Sequence, residues 1–270
     1  MKYQGIYFMK KTLIAVAVAA SAVVSGSAIA SSWSEDTYGG SVTFGGTLTP
    51  AMRVLPWETT IGGAVSGLDA KIEAGKNFVY VPVTKTIPIL GIRTKTSKAF
   101  RGQSDFTPDI DFHSAVDVSG FDKGTTTLTL PVTDEHGEEI GSIVAPFTSG
   151  AVASWKEIST GKGGAANMYG DGDANMFHGG IGRKEDAISL DSYELAKSII
   201  SDIADNFNPQ GFKVEGAEWA SGASSGSTYS GFYAGGILSG TDMKINLKKS
   251  ATMDSAIVWK ASLPITVSYH

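Results

Sequence analysis

One segment of this chain has the residue pattern of a catalytic serine loop. Residues 222–226 read Gly-Ala-Ser-Ser-Gly, which matches the nucleophile elbow in which a serine attacks an acyl group. That elbow needs a strand before it, a helix after it, and an acid and then a histidine later in the chain. Here serine- and glycine-rich sequence surrounds the segment, and the only later histidine is the terminal His270. We therefore predict no catalytic residue and no enzyme.

The residues that most often bind metals are not spaced as ligands. The chain has no cysteine, and its histidines are His113, His136, His178 and His270. No two of them are four residues apart, the spacing that would place both on one helix face. Residues 171–175 begin like a calcium loop, but Met176 replaces the required glycine and Gly182 replaces the bidentate glutamate. We predict no metal site and no cofactor.

Carbohydrate binding is the chemistry that the loop around residue 170 could perform. A sugar needs an aromatic ring against its C–H face, together with planar donors and acceptors for its hydroxyl groups. The candidate glycan-binding residues of this loop are Tyr169, Asp171, His178 and Glu185. Loops on a rigid scaffold often carry binding sites. A solvated glycine-rich loop without a binding role is the alternative.

Both ends of the chain contain strands that alternate apolar and polar residues. Near the start, one row consists of Tyr38, Gly40, Val42, Phe44, Gly46 and Leu48. At the end, the corresponding row consists of Leu263, Ile265, Val267 and Tyr269. A strand with this period can press one row into a hydrophobic groove and expose the other. Such a chain can complete its sheet with a neighbour's strand, which indicates assembly rather than catalysis.

Residues 1–30 are predicted to be a secretory signal peptide. Lys10 and Lys11 precede an apolar run over residues 13–24, and Ala28-Ile29-Ala30 ends the segment. Removal of three lysines with this segment changes the formal net charge from −5 to about −8. Clustered basic residues are absent, so nucleic acid is not expected as a partner. Because an exported chain without cysteine has no disulfides, its stability must come from its core or from a partner's strand.

The remainder of the sequence predicts a mainly β fold. Short β-rich runs alternate with Gly, Pro, Asn and Asp, which is typical of a sandwich. The predicted strands cover residues 51–57, 77–83, 87–93, 109–118, 125–133, 139–147, 151–156, 231–238, 243–248 and 256–269. A hairpin turn is predicted at residues 134–137, ending on Gly137.

One helix interrupts this pattern. Apolar residues recur at steps of three and four over residues 191–207, with Asp191 or Ser192 as the N-cap and Pro209 after the end. Glycine-rich loops are expected on both sides, at residues 161–183 and 211–230. Because aromatic residues bury large areas, four tryptophans are predicted to be in the core: Trp57, Trp155, Trp219 and Trp259.

The order and spacing of many short motifs resemble one family. The motifs are Trp57 and Gly137 with residues 40–46, 88–91, 93–95, 99–100, 130–131, 141–142, 161–164, 177–180, 189–190 and 264–269. Over nearly the whole mature chain they are similar to the FaeG-type major fimbrial subunits and adhesins of enterotoxigenic Escherichia coli. Those proteins are exported through the chaperone–usher pathway.

This resemblance implies an incomplete immunoglobulin-like sandwich with a small helix-containing insertion. A donor strand completes the sandwich, supplied first by a periplasmic chaperone and then by the next subunit. The implied partners are identical or related fimbrial subunits, the chaperone, an outer-membrane usher, and a host glycoprotein or glycolipid. The implied location is the fimbrium on the cell surface.

The expected domains are a signal peptide at 1–30, a donor-strand extension at 31–50, and a pilin domain at 51–270. A receptor-binding insertion is expected at about 157–228. Three alternatives remain open at this point. The chain could be a minor or purely structural fimbrial subunit, or a monomeric periplasmic binding module. It could also be a secreted glycan-active enzyme, for which the sequence singles out no carboxylate pair.

Overall fold

The computed structural model describes residues 44–47, 54–252 and 256–270. Residues 44–47 belong to one unit, Met1–Ala51, and are exposed and without regular structure. The other described residues belong to a second unit, Met52–His270. The predicted signal peptide and the donor-strand positions Tyr38, Gly40, Val42 and Leu48 lie outside the described residues, whereas Phe44 and Gly46 lie within them.

The second unit is mainly β with one α-helix, so the predicted fold class is confirmed. The helix is α1 (Ser192–Ile199), and 3₁₀ turns lie at Val118–Gly120 and Glu185–Ala187. The strands are β1 (Trp57–Ile61), β2 (Phe78–Val83), β3 (Ile87–Thr94), β4 (Phe100–Arg101), β5 (Pro108–Asp111), β6 (Thr125–Thr133), β7 (Glu139–Glu157), β8 (Gly163–Met168), β9 (Val214–Glu218), β10 (Ser227–Ile237), β11 (Thr241–Leu247) and β12 (Thr266–Tyr269).

One large sheet has the strand order β1-β3-β10-β7-β11-β2, and β5 and β12 form a separate two-stranded ribbon. The long strand β7 changes its neighbours along its length. Its first half pairs with β6 and β11, and its second half pairs with β10 and β8. Inward-facing residues from both halves of β7 contribute to one core cluster. The sheet is therefore folded over a common core, as in an immunoglobulin-like sandwich.

Strand β6 shows how the sequence builds this core. Thr125, Thr127 and Thr129 face outward and are exposed, whereas Leu128, Leu130 and Val132 face inward and are buried. The next strand supplies Ile143 and Phe147 to the same core. The predicted hairpin between them is confirmed: Gly137 has a φ of 85°, and the Asp134 carboxylate accepts hydrogen bonds from two N–H groups of the turn. Strict alternation and specific turn residues explain why this region was predicted correctly.

Several predicted boundaries are wrong, each for a local reason. The first strand starts at Trp57 rather than ending there, and the strand predicted over residues 109–118 stops at Asp111. His113 and Ser114 have positive φ values, which an extended strand does not allow. The strands predicted at 139–147 and 151–156 are one strand, because β10 pairs continuously across the Ser-Gly sequence between them.

The helix is shorter than predicted, because it ends at Ile199 and turns occupy residues 201–206. Ile203 is nevertheless buried. The apolar spacing therefore identified a residue that faces the core even though it lies after the end of the helix. The guanidinium of Arg93 on β3 donates a 2.6 Å hydrogen bond to the carbonyl oxygen of Asp202 and holds this turn. It also forms an ion pair with Glu58 at 2.6 Å.

The glycine-rich regions predicted as loops contain two strands, β8 and β9. Gly163 and Gly164 begin β8 against Trp155, and a side chain on Gly164 would lie 2.9 Å from the Trp155 ring. These glycines permit close packing rather than a flexible loop. The prediction of four core tryptophans is wrong for Trp219, which follows the edge strand β9 and is 53% exposed. Trp57 is buried, and Trp155 and Trp259 are half-buried against the core.

Candidate functional site

A long open groove of about 1300 Å³ follows the core of the Met52–His270 unit. Its floor is apolar and consists of inward-facing side chains of β2, β6, β7 and β11, with Ile87 and Ile89 of β3 and Ile237 of β10 beside them. From β6 and β7 come Leu128, Leu130, Ile143 and Ala145, and from β2 and β11 come Val79, Val81, Met243 and Ile245. Because these residues belong to the main core cluster or pack against it, the groove is an opening in the core itself.

Two extended segments without strand structure form the walls of the groove. One wall consists of residues 61–72, of which only Ile61 belongs to a strand, β1. The other wall consists of residues 256–265. The single bridge between the second wall and a named strand joins Lys260 to Thr133 among the described residues. The predicted strand over 256–269 is therefore wrong for residues 256–265, because the described residues give them no ladder beyond that one bridge.

The two walls run in opposite directions. The first begins where the Gly62 N–H bonds the Ile89 carbonyl and leads to the Gly75 N–H, which bonds the Ala251 carbonyl. The second starts at residue 256, soon after Ala251, and leads away to β12. Both walls therefore meet at the end of the groove nearest Ala251.

The predicted C-terminal row packs as the alternation indicated. The side chains of Leu263, Ile265, Val267 and Tyr269 are half-buried against the main core. Val267 and Tyr269 lie in β12, where Val267 pairs with Ile110 of β5. Leu263 and Ile265 precede β12 and line the groove. Burial raises the pKa of the Tyr269 phenol, so this ring stays neutral in its apolar contact.

On the insertion, the structure brings three of the predicted glycan residues together. Tyr169 is half-buried at the end of β8, and its N–H donates to the Glu218 carbonyl at 3.1 Å. The pKa of its phenol is raised by desolvation and by the carboxylates of Glu218, Asp171 and Glu185. The exposed Trp219 comes directly after Glu218. The sequence analysis missed Glu218 and Trp219 because β9 was predicted as a loop.

The fourth predicted residue, His178, has a structural partner. Its Nδ1 lies 2.8 Å from the Asp109 carboxylate, and the two residues also share a backbone bridge. Its side chain is 18% exposed. The imidazole of His270 lies 4.0 Å from the same carboxylate. His178 therefore fastens the loop before α1 to β5 and to the end of the chain.

A buried asparagine holds the insertion together. The Asn167 side-chain amide donates to the carbonyls of Leu190 and Gly216, at 3.0 and 2.8 Å. Its oxygen accepts from the Ser192 N–H at 3.1 Å. The side chain thus joins β8, the start of α1 and β9, which are the elements that place Tyr169 and Trp219.

The catalytic pattern in the sequence has no catalytic setting. Residues 222–226 lie in the connection between β9 and β10, so a strand rather than a helix follows them. The described residues contain no group of three or more His, Asp or Glu side chains suited to a metal ion. Over the same residues, no helix is both long and apolar enough to cross a membrane.

This chain is similar to known fimbrial proteins of Escherichia coli over nearly its whole length. The K88 fimbrial protein AC of Escherichia coli is 26% identical over 289 residues, which cover 97% of this chain and 100% of that protein. The F41 fimbrial protein of E. coli is 27% identical over 295 residues, with the same coverage. These relatives are fimbrial proteins and not enzymes. The K88 fimbrial family, described as major and minor fimbrial subunits, matches residues 9–270, so this chain belongs to that family and is a component of the surface fimbrium.

Proposed function

We propose that this fimbrial subunit polymerises by donor-strand exchange. In this process, residues 38–48 of one subunit fill the groove of the next. The observation that carries the proposal is the groove itself, an apolar floor between two wall segments that, within the described residues, have no strand partner beyond Ile61 of β1 and the bridge of Lys260 to Thr133. Its floor suits a strand with one apolar row, and the row from Tyr38 to Leu48 has that form.

Hydrophobic burial supplies the driving force in this scheme. Val42, Phe44 and Leu48 would each contribute about 1.5–3 kcal/mol when fully buried. The glycines at positions 40 and 46 let the strand approach the floor closely. Backbone hydrogen bonds to both walls would add to this, since extended segments expose unpaired N–H and C=O groups.

An open groove is also a hazard before assembly. Unpaired edges and apolar surface promote aggregation, so a newly exported subunit needs temporary cover. A periplasmic chaperone supplies a strand to the groove, and an outer-membrane usher receives the subunit for assembly. In the same scheme, residues 1–30 are removed during export, residues 31–50 form the donor extension, and residues 51–270 form the pilin domain.

We call the donor extension at residues 31–50 the arm. Moving the arm to the other end of the chain tests this proposal. A copy of residues 32–50 is fused after His270 through a short flexible linker, and the native copy is deleted. The expected product is a soluble monomer without chaperone. The matched control carries Phe44→Asp in the fused copy, and it should aggregate because the groove would bury an unpaired charge. If deletion of the native arm alone gives an equally soluble and stable monomer, the groove needs no donor strand.

We propose further that the insertion, at about residues 157–228, binds a glycan of the host cell surface. The exposed ring of Trp219 offers a face for a sugar, and carboxylates near Tyr169 offer acceptors for its hydroxyl groups. Because these groups are negatively charged, an uncharged glycan fits better than a sialylated or sulfated one. His178 keeps its place in the proposal as a residue that positions the loop.

Adhesion and folding can be measured separately. Tyr169→Ala and Trp219→Ala should reduce binding on a glycan array by about 30-fold or more, since an aromatic anchor contributes about 2 kcal/mol. Fibres should still assemble, and the thermal midpoint should change little. Ile158→Ala is the control, because Ile158 is similarly exposed elsewhere on the insertion. Normal binding by both aromatic variants would leave the chain as a purely structural subunit.

A further inference from the structure

A second cavity, of about 400 Å³, opens where the two walls of the groove meet. It shares Leu247, Ala251 and residues 256–258 with the groove, so the two cavities are continuous. Its apolar side also includes Ile140 and the side chain of Val258, which is 56% exposed. We call this cavity the end cleft. The end cleft extends the apolar floor of the groove beyond the part that the residues of the arm up to Leu48 would cover.

The rim of the end cleft is acidic. The hairpin turn before β7 contributes Asp134, Glu135 and Glu138, and β7 itself contributes Glu139, against Lys248 and Lys249 on the opposite side. Glu139 already pairs with Lys248 at 2.9 Å, and Asp134 accepts hydrogen bonds within its own turn. Glu138 has no ion-pair partner among the described residues. A basic group entering the cleft would therefore meet uncompensated negative charge.

The arm sequence continues beyond Leu48 with residues that match this cleft. In the same period-two phase, the inward row goes on to Pro50 and Met52, and Arg53 points the other way. At ~3.3 Å per residue, the row from Tyr38 to Leu48 spans about 33 Å, whereas the wall from residue 257 to 265 spans about 26 Å. An arm that follows the whole wall therefore brings the residues after Leu48 to one end of the wall or past it.

Charge decides which end of the arm lies at the cleft. The N-terminal end of the arm carries Glu35 and Asp36, which the acidic rim would repel. The C-terminal end carries Arg53, the single basic residue between positions 31 and 53. The acidic rim attracts only the C-terminal end.

We propose that the end cleft binds the segment Met52-Arg53 of the incoming subunit, with Met52 against the apolar floor and Arg53 against the acidic rim. The inference rests on the donor-strand proposal and adds a subunit-to-subunit contact at the mouth of the groove. In this contact the arm runs antiparallel to residues 256–265. The partner is a second copy of this chain.

Because the chain has no native cysteine, pairs of introduced cysteines test the contact cleanly. In full-length subunits assembled into fimbriae, Met52→Cys with Ile257→Cys should give a covalent ladder of subunits on a denaturing gel. The groove control is Phe44→Cys with Ile265→Cys, which lies in the same antiparallel register and should also crosslink. The direction control is Met52→Cys with Ile265→Cys, at the other end of the wall, which should not.

The outcomes separate the inference from the proposal beneath it. Crosslinking of the groove pair without the cleft pair would overturn the inference and leave donor-strand exchange intact. Crosslinking of Met52→Cys with Ile265→Cys in place of Ile257→Cys would show the opposite direction and also overturn it. If none of the three pairs crosslinks in assembled fibres, donor-strand exchange itself fails, and the inference fails with it.

Charge exchange tests the acidic rim. Arg53→Glu should lower the yield of the cleft crosslink by about two- to fivefold, the range expected for an exposed ion pair. Glu138→Arg in the same chain should restore most of that yield. Arg183→Glu, an exposed change on the insertion, should leave it unchanged. An unchanged yield with Arg53→Glu, or no recovery in the double variant, would overturn the assignment of Arg53 to the rim.

Discussion

Substitution of Asn167 tests whether one buried amide holds the insertion in place. Asn167→Ala removes the three hydrogen bonds that join β8 to the start of α1 and to β9. The residue is 3% exposed, so water cannot easily replace the lost groups at its own position. The carbonyls of Leu190 and Gly216 belong to exposed residues and can regain water, whereas the N–H of the buried Ser192 cannot.

The expected magnitude follows from these contacts. A typical hydrogen bond contributes about 1 kcal/mol, and a buried group left without a partner costs about 1–3 kcal/mol. With one partner stranded and two able to meet water, the free energy of unfolding should fall by about 2–4 kcal/mol. In a domain of this size, each kcal/mol lowers the thermal midpoint by about 2–4 °C. We expect a fall of about 4–16 °C.

Thermal unfolding of the soluble monomer that carries residues 32–50 fused after His270, at matched concentration and followed by tryptophan fluorescence, measures this change. Asn206→Ala is the matched control, because the Asn206 amide makes a single exposed hydrogen bond to the Lys95 carbonyl. It should lower the midpoint by less than about 4 °C. Asn167→Asp adds an isosteric test. It keeps the acceptor for Ser192 but sets a carboxylate against two carbonyl oxygens, so it should destabilise at least as much as alanine.

Hydrogen exchange can show where the loss occurs. Amides of β9 and of the first turn of α1 should exchange faster in Asn167→Ala, while those of β6 should keep their relative protection. The reasoning is refuted if Asn167→Ala lowers the midpoint no more than Asn206→Ala does. It is also refuted if exchange rises uniformly through the sheet, because the amide would then support the whole core rather than the insertion.

Three further changes address the groove and the core. In an assembly assay, Phe44→Asp should prevent fibre formation, and Thr43→Asp, in the polar row of the proposed donor strand, should permit it; equal assembly would exclude this register. Tyr233→Phe should leave the thermal midpoint unchanged or raise it by a few degrees, because the buried hydroxyl has no hydrogen-bond partner among the described residues; a clear fall would reveal one. Gly179→Ala should destabilise by about 2 kcal/mol or more, since a Cβ there would overlap a carbonyl of β5. Gly211→Ala, which has a similar positive φ but open space, should cost about 1 kcal/mol, so equal losses would mean that backbone strain alone matters.

Prediction from the sequence succeeded where local chemistry and burial agree. Strand β6 and its turn were predicted residue by residue, because threonine and leucine alternate and an aspartate and a glycine close the hairpin. Strands β8 and β9 were missed because their glycines serve close packing against Trp155, which only the folded chain reveals. Trp219 was assigned to the core for its size, but its exposure depends on the position of β9 at a sheet edge. Three of the four predicted glycan residues, Tyr169, Asp171 and Glu185, come from one stretch of sequence, whereas their neighbour Glu218 comes from the distant strand β9.

The wall at residues 256–265 shows why a wrong strand prediction is itself informative. Alternation specifies which side chains turn toward the core, and here that prediction was right, since Leu263 and Ile265 face the groove. A strand also needs backbone partners, and these depend on what lies alongside. The pattern is therefore that of a strand, while the described part of the chain supplies no ladder for it. A second segment with the same period, at residues 38–48, has the apolar row such a ladder requires. Alternation at both ends of the chain is thus best explained by two strands that complete each other between different subunits.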